Sequence, residues 1–366
     1  MAIESDPVRE NHYSWQLFSR PLETWEAMYR DCVKSVKSIE FEQYILENDS
    51  VGERFMELFI EKAKAGINVF LVCDTFGSAL LTHSPLVETL REHGGRVFFY
   101  NKIRKLHLFT PWRWFPRTHI KTLLVDSSIA YTGGVCMAER MREWRDTHIR
   151  LTGPVVQQIR HAFDDIENRM TRKGIKHHSK ENADQRFSYF LTHPQRARFA
   201  IYRELKRAVK EAQSYIYITS AFFIPNRRFI RLLKHAKKRG VDVRILVPEQ
   251  SDVMLADWIC LSYMPKFMRA GFRIFHYRNT VMHSKTAIID DHWGTVGSTN
   301  FDVISFFHNR EANIVTTDKD IIAALKRQFF IDLENCVEMT TAIWAGIPLW
   351  KKIVGRSARL IKVFFG

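Results

Sequence analysis

Apolar and polar positions fall into two rhythms along the chain, and the same succession of rhythms occurs twice. Residues 38–74 read SIEFEQYILENDSVGERFMELFIEKAKAGINVFLVCD, and residues 214–249 read SYIYITSAFFIPNRRFIRLLKHAKKRGVDVRILVPE. Each opens on a β-branched and aromatic run, 39–45 and 215–224, which predicts a strand. Each continues with apolar residues three and four apart: Phe55, Leu58, Phe59 and Ala63 in one, Phe229, Leu232, Leu233 and Ala236 in the other. That spacing predicts one apolar helix face. Gly66 and Gly240 follow, where a helix C-terminus favours glycine. A second strand comes next, INVFLVCD and VDVRILVPE. Strand, helix, strand predicts a parallel βαβ unit in each repeat.

The correspondence runs further. GGRVFFY at 94–100 matches GFRIFHY at 271–277 and predicts a third strand. The first half then reaches His119-Ile-Lys121-Thr-Leu-Leu-Val-Asp126 and Gly133-Gly134. The second reaches His283-Ser-Lys285-Thr-Ala-Ile-Ile-Asp290 and Gly297-Ser298-Thr299-Asn300. In both, the Asp lies seven positions after the His and the first Gly seven after the Asp. Each half next offers an acid in a strand-like run, Asp146 in WRDTHIRLTG and Glu311 in NREANIVTTD. The expected fold is α/β, with two duplicated α/β/α halves. Each half holds a mixed, mostly parallel sheet, and the active site lies at the interface between them. The polar stretch 171–186 suits a linker. The expected division is 1–185, 186–340 and a C-terminal segment 341–366.

The residue types in these motifs define a chemistry. On an extended strand, positions i and i+2 share a face, so His119 and Lys121 point one way, as do His283 and Lys285. Glycines permit close approach of backbone to a ligand. Two imidazoles, two ammoniums and small polar groups suit a phosphodiester, whose transition state spreads charge over its non-bridging oxygens. Lys121, Lys285 and Asn300 can answer that charge, and no cluster of carboxylates resembles a metal cage. No metal or other cofactor is expected. A neutral imidazole can attack phosphorus to give a phospho-histidine; the opposite imidazole, protonated, can serve the leaving and incoming alcohols. Either histidine fits either role. Asp146 and Glu311 suit orienting groups on the far ring nitrogens.

Composition narrows the partners. The 366 residues include 55 Lys and Arg against 40 Asp and Glu, a formal charge of +15, which favours polyanions. With 46% hydrophobic residues, 27 Phe and 9 Trp, the chain can bury a substantial core. Its five cysteines, Cys32, Cys73, Cys136, Cys260 and Cys336, form no CxxC pair, which favours a reducing compartment. No secretory signal and no run of eighteen apolar residues is present, so no transmembrane helix is expected.

The paired motifs resemble the phospholipase D superfamily, whose signature is HxK(x)4D(x)6GSxxN twice per active site, and within it the bacterial cardiolipin synthases. The likeness runs from about Ile39 onward and includes FGS at 76–78, AYTGG at 130–134, WRDTHIRLTGPVV at 144–156, FFIPNRR at 222–228 and SDVMLADW at 251–258. It implies a catalytic set of His119, Lys121, Asp126, His283, Lys285 and Asp290, with His119 attacking and His283 as acid and base. Gly133, Gly134, Gly297, Ser298, Asn300, Asp146 and Glu311 would support it. Asp126 and Asp290, at the strand ends, also suit a purely structural turn role. The first motif departs from the signature in Gly134 for Ser and Cys136 where Asn falls, a position that suits a small buried residue. The implied activity is phosphatidyl transfer, with cardiolipin made from phosphatidylglycerol and a second phospholipid. Hydrolysis of phospholipid or nucleic-acid phosphodiesters needs the same apparatus, and an inactive membrane scaffold is the alternative outside enzymes.

Two unmatched segments point to lipid. Tyr100 to His119 is nineteen positions and Tyr277 to His283 is six, so the first half carries thirteen extra residues before its motif. They contain Trp112, Arg113 and Trp114, and such rings and cations suit a headgroup region or a packed loop. From Ala342 the chain reads AIWAGIPLWKKIVGRSARLIKVFFG, where Trp344 and Trp350 stand among Lys351, Lys352 and further basic residues. That composition suits a helix lying in a membrane interface; a helix docked on the protein is the other reading. The expected partners are anionic phospholipids and a membrane surface, with no nucleic acid. The expected location is peripheral, on the cytoplasmic face of a bacterial inner membrane. His107, His148, His161 and His308 lie outside any motif and read as structural or solvated.

Overall fold

A computed structural model describes residues 3–4, 13–102, 114–170, 186–194 and 198–362. The first sheet holds β1 (Ile3–Glu4), β2 (Trp15–Phe18), β3 (Ser38–Gln43), β4 (Asn68–Asp74), β5 (Arg96–Tyr100), β6 (Thr122–Val125), β7 (Ile129–Gly133) and β8 (His148–Thr152), in the order β1-β2-β8-β7-β6-β3-β4-β5. Its helices are α1 (Pro21–Val33), α2 (Ser50–Lys64), α3 (Pro85–Glu92) and α4 (Val155–Met170). The second sheet uses β9 (Phe187–His193), β10 (Arg198–Phe199), β11 (Tyr215–Thr219), β13 (Asp242–Pro248), β14 (Arg273–Tyr277), β15 (Thr286–Ile289), β16 (Trp293–Gly297), β18 (Glu311–Thr316) and β19 (Cys336–Glu338). Their order is β10-β9-β18-β16-β15-β11-β13-β14-β19, while β12 (Phe223–Ile224) and β17 (Phe301–Asp302) pair separately. The remaining helices are α5 (Ala200–Glu211), α6 (Arg227–Lys238), α7 (Met254–Arg269), α8 (Val303–Phe307), α9 (Lys319–Glu334), α10 (Thr341–Gly346) and α11 (Leu349–Lys362).

Six strands of each sheet stand in matching order, β8-β7-β6-β3-β4-β5 and β18-β16-β15-β11-β13-β14, so the duplication read in the sequence is present in the fold. The helices of the repeat start on side-chain caps: Asp49 accepts from Val51 and Gly52 N–H, and Asn226 from Phe229 N–H. The expected dominance of parallel pairing does not hold. Only β3–β4, β4–β5, β11–β13 and β13–β14 are parallel, and the other pairs in the two large sheets are antiparallel. Two of the antiparallel pairs are hairpins closed at the motif aspartates. Asp126 and Ser127, like Asp290 and Asp291, adopt positive φ at two successive residues, which folds β6 back on β7 and β15 back on β16. No glycine marks either turn. The expected strand over 215–224 also divides, into β11 and β12.

Buried side chains arrange these elements in layers. Phe41, Leu71 and Tyr131 pack with Phe55 and Phe59 on the outer face of the first sheet, and Ile216, Ile245 and Ile274 pack with Phe229 and Phe267 on the outer face of the second. Between them one core joins both sheets: Leu124 and Ile149 from the first, Ile288 and Ile314 from the second, Ile159 and Phe163 of α4, Ile321 and Phe329 of α9. The halves therefore meet over a continuous apolar core, and their motif segments face each other across it.

Candidate active site

Each HxK segment lies just ahead of its strand, and the opposite half holds it in place. Thr118 bridges to Arg310, with His119 N–H donating to Arg310 O at 2.9 Å and Arg310 N–H to Arg117 O at 2.8 Å. Arg145 bridges to Met282, with Arg145 N–H donating to Val281 O at 3.0 Å and His283 N–H to Arg145 O at 2.8 Å. Because the acids directly follow Arg145 and Arg310, these backbone pairs deliver each carboxylate to the histidine of the other half. Glu311 Oε2 lies 3.0 Å from His119 Nδ1, and Asp146 Oδ2 lies 2.7 Å from His283 Nδ1. Ser298 O is a second neighbour of His119 Nδ1 at 3.1 Å. A carboxylate can only accept, so each Nδ1 carries the proton and each Nε2 presents its lone pair.

Burial sets the charge states. His119 and His283 are 9% and 5% exposed, and Lys121 and Lys285 are each 1% exposed. Burial depresses His119 to about 4 against the pull of Glu311, with Lys121 and Lys285 adding to the depression. His283 is lowered by burial and by the Lys285 charge, against Asp146. Burial likewise brings Lys285 down to about 8 although Asp146 supports its charge. Asp146 stays below the usual carboxylate range: burial opposes this, but His283 and Lys285 outweigh it. Lys121 Nζ donates to His119 O at 2.7 Å, and Lys285 Nζ donates to His283 O. Each ammonium keeps two further donors.

The supporting residues divide into those at the site and those remote from it. Ser298 Oγ donates to Glu311 Oε2 at 2.5 Å. Gly134 occupies the matching place, and a Cβ there would stand 2.0 Å from Asp146 Oδ1. The Gly-for-Ser departure thus follows from where Asp146 puts its carboxylate. Asn300 is buried, and its Oδ1 has no hydrogen-bond partner among the described residues. Cys136 packs with Ala138, Met141 and Trp144, and burial pushes its thiol up. Gly133 and Gly297 close β7 and β16. Asp126 and Asp290 do not join the catalytic set. Seven residues of mostly extended chain, roughly 20 Å, separate each from its histidine. Asp126 accepts from Val36, Lys37 and Ser38 N–H, and Asp290 from Gln213, Ser214 and Tyr215 N–H. They fasten the hairpin turn to the start of the neighbouring strand.

Sequence reasoning passed over several residues here. Tyr44 sets its ring edge-on to His119 at 4.9 Å between centroids, and Trp144 stands 5.5 Å from His283. Arg310 pairs with Glu42 at 3.1 Å, and Arg145 with Asp332 at 2.7 Å; all four are buried, and both pairs join the two halves. The Arg that precedes the acid in both WRD and NRE was a legible signal. His148 is buried with Nδ1 accepting from Val135 N–H, and burial depresses it to about 3, a structural neutral imidazole. Among the described residues no group of three or more His, Cys, Asp or Glu gathers as metal ligands would.

The proposed membrane residues separate likewise. Trp112 and Arg113 lie outside the described residues. Trp114 is half-buried, its carbonyl accepting from Asn101 Nδ2 at 3.2 Å. Trp344 is half-buried against the core of the second half. Trp350 is 55% exposed and Lys351 is exposed, while Lys352 lies over the Trp344 ring. The helix carrying them, α11, docks on α7, and a Cβ at Gly355 would stand 2.3 Å from Trp258 O. Trp350 also meets Trp258 of α7 edge-on at 6.4 Å between ring centroids, so docking and partial exposure fall on the same side chain.

Two HxK segments, matched sheets and crossed histidine–carboxylate pairs are the features of a phospholipase-D-like protein. The family model described as "Cardiolipin synthase, PLD-like domain" matches residues 205–332. A cardiolipin synthase of Staphylococcus aureus (strain N315) is 30% identical over 353 residues, covering 92% of this chain and 70% of the relative. One of Clostridium perfringens (strain 13 / Type A) is 27% identical over 336 residues, covering 86% and 69%. The chain belongs to the cardiolipin synthase family. Two solved structures share its fold at low identity. Phosphatidylserine synthase of Haemophilus influenzae Rd KW20 matches with a TM-score of 0.75 at 11% identity, over 95% of this chain and 94% of that one. Polyphosphate kinase of Porphyromonas gingivalis matches with a TM-score of 0.62 at 12% identity, over 90% and 49%.

Proposed function

We propose that this protein transfers a phosphatidyl group from one phospholipid to another, forming cardiolipin from phosphatidylglycerol and a second phospholipid. The observation that carries the reading is the crossed pair of buried histidines, each holding its proton on Nδ1 against a carboxylate of the other half. His119 Nε2 attacks phosphorus, and the bond from phosphorus to the leaving glycerol oxygen breaks. His283, protonated, gives its Nε2 proton to that oxygen. The acceptor hydroxyl then attacks phosphorus, His283 Nε2 takes its proton, and the bond to His119 breaks. Both imidazoles are depressed in the free protein, so the negative charge of the bound phosphodiester must raise His283 enough for it to take up a proton from solvent. The spare donors of Lys121 and Lys285 and the amide of Asn300 hold the non-bridging oxygens.

Segments 1–185 and 186–340 act as the two catalytic halves, and 341–366 meets the membrane through Trp350, Lys351 and Lys352. Among the described residues no helix is long and apolar enough to cross a membrane. The protein is placed on the anionic cytoplasmic face of a bacterial membrane, where basic residues contribute roughly 1 kcal/mol each. Purified protein mixed with phosphatidylglycerol vesicles should yield cardiolipin and glycerol on lipid chromatography. Phosphatidic acid alone would mean hydrolysis instead, and full turnover in either His119→Ala or His283→Ala would sink the two-histidine mechanism.

A further inference from the structure

The second half contains a cavity of about 690 Å³ that holds none of the residues named in the chemistry above. Its floor is the C-terminal ends of β13 and β14, and its walls are α7 and the α10–α11 turn. Val247, Trp258, Leu261, Met339, Ile347 and Trp350 make the lining largely apolar. Its volume lies within the roughly 300–1,000 Å³ of small-molecule sites.

Register places this cavity beside the reacting groups. β11, β13 and β14 run parallel, so their C-terminal ends share one edge of the sheet. Thr219 at the end of β11 pairs with Thr286, the residue after Lys285. Ala221, two residues beyond Thr219, lines the cavity. Lys285 and His283 therefore sit at the same edge. Asp252, between the lining residues Ser251 and Met254, is close enough that its charge acts on both His283 and Lys285.

The mouth has the character of a lipid surface. Met254 is 63% exposed and Leu349 68%, and Val253, Leu255 and Ile353 are also exposed. Arg278 and Lys351 stand at the lining's polar margin with Glu249 and Asp257, and Arg278 meets Glu249 only at 3.5 Å with both half exposed. Apolar walls with a mixed-charge rim that includes Arg278 and Lys351 match an amphiphile that enters tail first and leaves its phosphate at those two cations.

We infer that this cavity receives an acyl chain of the phospholipid whose headgroup reacts at His119 and His283, with Arg278 and Lys351 at the phosphate side of its rim. The inference rests on the phosphatidyl-transfer reading and adds to it where the substrate's tail lies. Bilayer lipid is a poor probe, because a tail leaving hydrocarbon for an apolar cavity gains little. Monomeric phosphatidylglycerols with two acyl chains of four to eight carbons, kept below micelle-forming concentration, make water the reference. Each methylene that enters the cavity then tightens binding by about fourfold.

The test compares wild type with Leu261→Trp, which fills the cavity, and with Ile347→Trp at its more exposed turn, after thermal melts show all three folded. Calorimetry reads binding across the chain-length series, and chromatography reads transfer. Wild type should bind and transfer the longer chains progressively better, while both variants lose that rise. Equal chain-length dependence in all three proteins overturns the inference even if transfer is intact. Chain-length-dependent binding that the variants abolish, without transfer in wild type, sustains the cavity assignment and overturns the transfer reading.

Discussion

The two orienting carboxylates are chemically alike but differently embedded, so neutralising them should have unequal effects. In Asp146→Asn, one oxygen must serve two donors. Asp146 Oδ1 accepts from Thr147 N–H at 2.7 Å, and Oδ2 accepts from His283 Nδ1. An asparagine that keeps its oxygen on Thr147 turns its NH₂ toward His283 and forces the proton onto Nε2. The flipped amide sets NH₂ against the Thr147 N–H. Loss of the correct tautomer typically costs about 10³- to 10⁴-fold in turnover, or ~4–5.5 kcal/mol. Glu311→Gln differs. Oε2 accepts from both His119 and Ser298 Oγ, while Oε1 has no partner among the described residues. Glutamine can keep its oxygen at the Oε2 position, and Ser298 O remains beside Nδ1. Only charge is lost, at roughly 10- to 100-fold, or ~1.4–2.7 kcal/mol. Asp146 also supports the Lys285 ammonium, which already stands near 8. Asp146→Asn should therefore move the alkaline limb of the pH–rate profile to lower pH, and Glu311→Gln should leave it in place. The assay is initial-rate cardiolipin formation from phosphatidylglycerol in mixed micelles between pH 6 and 9. A Glu311→Gln loss equal to or larger than that of Asp146→Asn would refute this account of the tautomers.

Other consequences are more local. Gly134→Ser should displace Asp146 and cut turnover, and adding Asp146→Glu, which copies the Ser298–Glu311 pair, should restore part of it; no restoration in initial rates would count against the steric explanation. Asp290→Ala removes the acceptor of three backbone N–H groups and should lower stability by about 2–4 kcal/mol while sparing the activity of the folded fraction; full stability with lost activity would return the aspartate to the catalytic set. His148 accepts a proton near 6.5 when unfolded but only near 3 when folded. Acid therefore favours the unfolded chain, and stability should fall by up to ~1.4 kcal/mol per pH unit below 6.5. His148→Asn, borrowing Asn313 from the other half, should flatten that slope in chemical denaturation. Trp350→Glu should weaken binding to anionic vesicles in sedimentation assays, and unchanged binding would remove α11 from the membrane face.

The repeat, its strands and helices and the two orienting acids were legible because each rests on local pattern: 3.6-residue periodicity, alternation, a motif at fixed spacing. What escaped rests on contacts distant in sequence. The β6–β7 and β15–β16 hairpins close on positive φ at Asp126–Ser127 and Asp290–Asp291, where no Asn-Gly or Gly signals a turn. Tyr44 and Trp144 reach the imidazoles from outside any motif. The C-terminal composition allowed an interfacial or a docked helix, and the close crossing at Gly355 shows one helix doing the second while Trp350 stays exposed.

The crossing of partners has a consequence for how the site is held together. His119 and Lys121 come from the first half, but the carboxylate that fixes the His119 tautomer and the carbonyl that aligns its backbone come from Glu311 and Arg310 of the second. The reverse holds for His283 with Asp146 and Arg145. The arginines that carry these carbonyls are themselves locked across the interface, Arg310 by Glu42 and Arg145 by Asp332. Breaking such a buried pair leaves an uncompensated charge and costs about 3–5 kcal/mol, so small slips between the halves are resisted where they would misplace an imidazole. A phosphoryl group passed between two histidines needs both Nε2 atoms fixed relative to one phosphorus, and neither half can fix its own.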